Sequence, residues 1–407
     1  MTILEVLAIM EYNLARRMQF LKASEVRELL KLTERPEILS FAGGLPAPEL
    51  FPTQELAEHS AALLKEMGAK ALQYAATEGY TPLRVWIRER LNTRWGMNVD
   101  LDNLLILSGS QSGLDLIAKL FLNDGDTVWC ESPTYMAALS AFRVCGAQFQ
   151  AMDCDDDGVL LEGLEDKLRA HPPKFVYVIT NFQNPSGRTW SMERRQTFME
   201  LMTRYEIPVV EDNAYYEVAF DPLEYCSLAR FDPKGLVLSL GSFSKVLCPG
   251  LRVAWVSAHE DLINRLVILK QSTDLQTATF NQMLVHRYLA NIDFDARIKL
   301  ICDTYRERRD AVLQEFEQHA PAGVHFTHPR GGMFIWMDLP EYMDSHQLFN
   351  RCLSHCVAFV PGTSFHPVDP KRNTLRFNFS NLPPATIRHG ARVLCNSIRE
   401  EMEAAGR

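Results

Sequence analysis

Several features are scarce in this sequence of 407 residues. No apolar run reaches the roughly 20 residues that a membrane-spanning helix needs. No dense tract of lysine or arginine occurs, and the formal charge is −9. A chain of that balance repels nucleic acid and anionic membrane surfaces, so neither is expected as a partner. Internal repeats and low-complexity tracts are absent. Two common phosphate fingerprints are also missing. No Gly-Lys-Ser/Thr follows a glycine-rich loop, and the glycines of "LSGSQSG" lack the G-x-G-x-x-G spacing. Cysteine occurs nine times, an odd and scattered set. That pattern argues against a disulfide framework and for reduced thiols in a cytoplasmic protein. In "RCLSHC", Cys352 and Cys356 flank His355, but the segment reads as a helix and no second Cys/His group accompanies it. No metal site is expected. The opening "MTILEVLAIMEYNLARRMQF" lacks the order of a signal peptide. Glu5 interrupts the apolar run, the basic residues follow it, and no small-residue cleavage site follows. A short amphipathic helix or a flexible leader is expected there.

What is present is a large core. Hydrophobic residues make up 47% and charged residues 23%, enough for two domains at this length. Short runs rich in Val, Ile and Leu occur at 103–109, 126–131, 174–180, 207–212, 235–241 and 252–258, without clean alternation. Strands covered on both faces read this way. Amphipathic patterns such as "GLDLIAKLFL" and "MERRQTFMELMTRY" lie between them. The expected fold is α/β, a three-layer sandwich around a mostly parallel sheet of about seven strands. After residue 290 a long charged helix leads to "GGMFIWMDL", "VAFVPG" and "TLRFNFS", which suggest a smaller α+β domain. Three segments are expected: residues 1–50 as an N-terminal segment and helix, 51–290 as the large domain, and 291–407 as the small one.

The unusual residues fall at strand ends, where ligands bind in open α/β sheets. In "LSGSQSGLDLIAKL" a strand gives way to a helix through Gly109, Ser110 and Gln111, an anion site in waiting. In "ESPTY", Tyr135 suits stacking on a flat ring. "TNFQNPSG" points the Asn184 amide from a restricted turn. "VVEDNAYYE" sets Asp212 just past an apolar run, where a carboxylate needs a cation, with Tyr215 three residues on. Taken singly, each reads equally well as a turn, a cap or a core residue. The fifth stretch, "GSFSKVLCPGLRVAW", holds Ser242, Ser244, Lys245 and Arg252. A lysine amine condenses with a carbonyl cofactor, most commonly pyridoxal phosphate, and hydroxyls with a guanidinium suit its phosphate.

In this order the motifs resemble the pyridoxal-phosphate enzymes of the fold-type I, class I/II aminotransferases. The likeness runs from about residue 24 to the C-terminus. "LSFAGGLPAPELFP", "LQYAATEGYTPLR", "NQMLVH" and "GGMFIWMDLP" are similar to the 2-aminoadipate and kynurenine aminotransferase subgroup. The resemblance implies that Lys245 binds the cofactor and later moves a proton. It implies that Asp212 holds the pyridine nitrogen protonated, that Asn184 and Tyr215 contact the ring oxygen, and that Tyr135 stacks. Ser110, Gln111, Ser242 and Arg252 would hold the phosphate, with Ser244 a weaker candidate. Tyr74 would reach the phosphate of a neighbouring subunit, which implies a homodimer. Arg376 would grip the substrate α-carboxylate, Asn184 would share in substrate binding, and Gly44 would allow close approach. Arg27, on a helix capped by Ser24, would meet the distal carboxylate of an acidic substrate. An amino acid and a 2-oxo acid, 2-oxoglutarate first, would be the substrates. Ser112, Asn213 and Ala75-Ala76 depart from the usual pattern and bear on substrate choice rather than on the chemistry. Two alternatives stay open. A β-lyase or decarboxylase uses the same cofactor, although a clamped α-carboxylate favours Cα–H cleavage. A ligand-sensing regulator would need a basic DNA-binding domain ahead of residue 24.

Overall fold

The computed structural model describes residues 13–21, 35–221 and 226–406. Arg27 and the helix expected around it lie outside the described residues, as does most of the leader. Fourteen strands occur among the described residues: β1 Leu39–Ser40, β2 Leu104–Leu107, β3 Thr127–Ser132, β4 Gln148–Asp155, β5 Gly158–Val159, β6 Phe175–Val178, β7 Val209–Asp212, β8 Val237–Ser242, β9 Ala254–Ser257, β10 His325–Phe326, β11 Phe334–Asp338, β12 Val357–Ala358, β13 Val360–Pro361 and β14 Thr374–Asn378.

The large sheet runs in the order β2-β9-β8-β7-β6-β3-β4-β5. From β8 to β4 its neighbours are parallel. β9, β2 and the two-residue β5 are antiparallel additions at the edges. The mostly parallel sheet of seven strands is therefore present, with β5 as an eighth fragment. β4 was not among the runs expected. Its side chains are mostly exposed or half-buried, Met152 alone being buried, because it lies next to the edge and never acquires the apolar density of a central strand.

Side-chain alternation builds the layers. On one face Leu105, Leu107, Val128, Phe175, Tyr177, Val210, Leu238 and Leu240 pack against the helices Ser110–Phe121, Met136–Val144 and Glu260–Thr273. On the other, Trp129, Val176, Val178, Val209 and Val237 meet the helices Leu164–Ala170 and Met192–Tyr205. Ile106 and Trp255 join a third cluster with the helices Thr81–Arg94 and Thr279–Ala290. Both faces of the sheet are thus covered by helices.

The smaller sheet is fully antiparallel, in the order β10-β11-β14-β13. It packs with the long helix Phe294–His319 and the last helix, Pro384–Ala404, through Phe316, Phe377 and Leu394. β1 pairs in parallel with β12, so the chain before the large sheet is tied to its C-terminal part. The helix Ser345–Ser354 carries Cys352, but it ends before the rest of "RCLSHC": His355 is its C-cap and Cys356 lies beyond it at φ +60. All nine cysteines are unpaired, and no metal-binding cluster occurs among the described residues. No helix there is long and apolar enough to cross a membrane.

Candidate active site

The parallel strands β3, β6, β7 and β8 end side by side, and each is followed by one of the expected motifs. Their carboxyl ends open on a cleft of about 260 Å³. Ser110, Gln111 and Tyr135 line it from the first two motifs, and Asn184, Asp212 and Tyr215 from the next two. Ser242, Ser244, Lys245 and Arg252 line it from the turn after β8, and Gly44 and Arg376 close the far side. Twelve of the fourteen residues expected from the sequence converge there. Tyr74 does not: it is 77% exposed and stands away from its own chain's cleft.

Three cations and one carboxylate line the cleft, although the chain as a whole is acidic. Lys245 Nζ donates to the Gly44 carbonyl at 2.8 Å and stands 5.8 Å from the centre of the Tyr215 ring. Burial, and then Arg376 and Arg252, bring its amine down to about 8 against the pull of Asp212. Asp212 closes β7 and is buried. Burial pushes its carboxyl up to about 6, opposed by a hydrogen bond from Tyr177, a backbone N–H and Lys245. Asp212 Oδ2 accepts from the Tyr177 hydroxyl at 3.0 Å. Asp212 Oδ1 is buried without a protein partner.

Arg376 projects from β14, opposite Trp336 and Val360 in register. It donates to Asn184 Oδ1 at 2.8 Å and to the Ala42 carbonyl at 2.5 Å. Phe334 and Phe365 pack on its guanidinium at 4.3 and 4.9 Å, which fixes the plane of the fork. Its Nε has no partner, and burial lowers its pKa to about 10. Asn184 also hydrogen-bonds Tyr215, whose phenol burial pushes well up.

The phosphate side is built from backbone. Gly109 has φ +91, and a Cβ there would strike the Arg252 guanidinium. Arg252 itself takes φ +53, which swings its side chain back over the start of the helix Ser110–Phe121. Ser242 Oγ donates to Ser244 Oγ at 2.9 Å and accepts from the Ser244 N–H at 3.0 Å. Gln111 is turned partly away, donating to the Ala137 carbonyl at 2.9 Å. Guanidinium, hydroxyls and helix N-terminal N–H groups together make a site for a dianion.

Residues 47–394 match the family model for aminotransferase class I and II. The chain belongs to the class I and II aminotransferases. This aminotransferase is 41% identical over 388 residues to the aromatic-amino-acid aminotransferase 1 of Thermococcus litoralis, covering 94% of this chain and 93% of that one. It is 44% identical over 382 residues to a 2-aminoadipate transaminase of Thermus thermophilus, covering 93% and 94%. The solved structure of an alpha-aminoadipate aminotransferase from Thermus thermophilus, complexed with N-(5'-phosphopyridoxyl)-L-leucine, superposes with a TM-score of 0.90 at 40% identity. That match covers 96% of this chain and 98% of the other. The activity is transamination between an amino acid and a 2-oxo acid.

Pyridoxal phosphate is the cofactor of this class. The unpartnered Asp212 Oδ1 is what a protonated pyridine nitrogen requires, and the Gly109–Arg252 cradle suits its phosphate. The residues present therefore fit the group. Sequence reasoning missed Tyr177, the Ala42 carbonyl and the two phenylalanines on Arg376. Tyr177 sits inside an apolar run, and the others are far apart in the chain, Phe334 meeting Arg376 across the β11–β14 pair and Ala42 and Phe365 reaching it from separate segments.

Proposed function

We propose that this aminotransferase takes the amine of 2-aminoadipate, or of a broad donor set including leucine and aromatic amino acids, and passes it to 2-oxoglutarate in two successive half-reactions. The observation that carries the reading is one cleft holding Lys245, a buried carboxylate with a free oxygen, and two guanidinium forks. One fork suits the cofactor's phosphate and the other a substrate's α-carboxylate, so cofactor and substrate are each anchored beside the reacting centre.

When bound, pyridoxal phosphate supplies an aldehyde that takes up amines and a ring that accepts electrons. Lys245 Nζ would hold the cofactor and, as a general base, would move the proton from the substrate Cα to the cofactor's C4′. Asp212 would hold a proton on the ring nitrogen. Asn184 and Tyr215 would contact the ring oxygen, and Tyr135 would stack on the ring. Ser110, Gln111, Ser242 and Arg252 would hold the phosphate, with Ser244 a weaker candidate. Arg376 and Asn184 orient the α-carboxylate, and Gly44 lets the substrate close on the backbone. Tyr74 completes the phosphate site of a partner subunit in a cytoplasmic homodimer, and its exposure supports this. Residues 51–290 form the cofactor-binding domain and 291–407 the smaller one. The two separate sheets support that division.

The rim formed by Ala42, Gly43 and Met136 is apolar and supports leucine-like and aromatic side chains. Arg27 is assigned to the distal carboxylate of acidic donors. The deciding experiment is a single half-reaction, followed by the absorbance of the lysine-bound cofactor, with 2-aminoadipate, glutamate, leucine, kynurenine and phenylalanine in turn. Fastest loss with 2-aminoadipate, selectively slowed in Arg27→Ala, supports the dicarboxylate reading. Equal loss across donors in that variant removes Arg27 from the site. A Lys245→Ala protein that still turns over sinks the assignment of Lys245.

A further inference from the structure

Strand β6 reads Phe-Val-Tyr-Val and is buried along its whole length. One side-chain polar atom stands in it, the Tyr177 hydroxyl. Tyr177 is 0% exposed and belongs to the apolar cluster between the sheet and the helices Ser110–Phe121 and Met136–Val144. Its ring meets Phe142 edge-on at 5.5 Å. A phenol buried this deeply needs a hydrogen-bond partner. Here the partner is Asp212 Oδ2, at 3.0 Å. Register explains the reach. Tyr177 pairs with Val210 on β7, and the period of two sets Asp212 on the same face as Val210, one step nearer the cleft. The two carboxylate oxygens therefore differ. Oδ2 is held by Tyr177, and Oδ1 is buried with no protein partner.

We propose that Tyr177 is a positioning residue for the proton on the cofactor's ring nitrogen: by donating to Asp212 Oδ2 it keeps that carboxylate ionised and turns Oδ1 toward the nitrogen. The proposal rests on the role given to Asp212 above. The titratable groups facing Asp212 are Tyr177 on β6, Tyr135 after β3 and Lys245 after β8, with Glu211 and Tyr215 on its own segment. Lys245 is the one cation among them, and its amine is committed to the cofactor. Tyr177 makes the one side-chain hydrogen bond to Asp212 among the described residues. A hydrogen bond to a charged group in a buried site stabilises that charge strongly. Without it, burial favours the neutral acid, which cannot hold the ring nitrogen's proton.

The test is Tyr177→Phe, which keeps the ring and removes the hydroxyl. In the cofactor-free protein, infrared difference titration follows the carboxylic-acid band that Asp212→Asn abolishes. The Asp212 midpoint is expected to rise by about one to two pH units. In the loaded enzyme, the acid limb of kcat is expected to move up by the same amount, with KM changing less than about threefold. Replacing Tyr177 with 3-fluorotyrosine, a stronger donor, is expected to move the midpoint down. Phe142→Leu, which loosens packing beside Tyr177 but spares the hydroxyl, is expected to leave it unmoved. An unmoved midpoint in Tyr177→Phe, beside an Asp212→Asn protein that has lost turnover, overturns the part given to Tyr177. Equal shifts in Tyr177→Phe and Phe142→Leu overturn it too, since packing alone then explains them. An Asp212→Asn protein with normal turnover overturns the role of Asp212 itself.

Discussion

Lys245 owes its reactivity to its neighbours. Burial, Arg376 and Arg252 all disfavour its ammonium form, and Asp212 alone favours it. The amine is therefore neutral about two and a half pH units below an ordinary lysine, for which the usual value is 10.5. Attachment of pyridoxal phosphate to the cofactor-free protein should speed up as pH rises and level off above a midpoint near 8. Stopped-flow absorbance across a pH range of roughly 6 to 11 checks this, and a midpoint near 10.5 would refute it. Arg376 acts at the same scale. Two hydrogen bonds to a charged carboxylate are worth about 3 to 6 kcal/mol together. Arg376→Ala should lower kcat/KM by about 10² to 10⁴-fold for every donor, acidic or apolar. Arg376→Lys should recover little, because one ammonium cannot present a fork held flat between two phenyl rings.

Elements carry the site through their ends. Strand β2 leads into the helix Ser110–Phe121 by a single residue pair, and Gly109 takes φ +91 and ψ 153 there. Residues with side chains avoid that conformation at a cost of about 1 to 3 kcal/mol. The added methyl would also displace Arg252. Gly109→Ala should lower thermal stability and weaken cofactor retention at least tenfold, readable by dialysis followed by absorbance. The segment 42–50 is pinned as firmly from the other side. Ala42 and Gly44 offer their carbonyls to Arg376 and Lys245. The Leu45 carbonyl accepts from Ser380, and the Ala47 N–H donates to Tyr305 at 2.9 Å. The long helix Phe294–His319 adds Arg297, which donates to the carbonyls of Leu50, Val246 and Leu247. One helix thereby clips the substrate-side segment to the turn that bears Lys245.

At the scale of the whole molecule, an acidic chain encloses a cationic cleft, which focuses anionic substrates on one place. The proposed homodimer gives the sharpest test. Lys245→Ala and Tyr74→Ala chains should each be impaired alone. Mixed dimers hold one site with both groups intact, so co-refolding the two should restore activity toward one full site per mixed dimer, half that of an unaltered dimer. Activity that stays at the level of the separate variants would remove Tyr74 from its neighbour's site. The fold itself was legible early, because strands covered on both faces must be continuously apolar, and five of the six runs became central members of the sheet or its β9 neighbour. β4 stayed hidden because its mostly exposed or half-buried surface lacks that density.

By itself the sequence determined the chemistry's cast. Short-range order put Ser110, Tyr135, Asn184, Asp212 and Lys245 just beyond apolar runs, and parallel strands must deliver their ends to one edge. Tertiary structure decided what linear order does not encode. Arg376 lies 192 residues from Asn184 and meets it only where β14 faces the large sheet. Tyr177 reads as one more core aromatic until register sets its hydroxyl against Asp212. The polarity of a buried group depends on which partner faces it, and that partner comes from the packing of strands far apart in the chain.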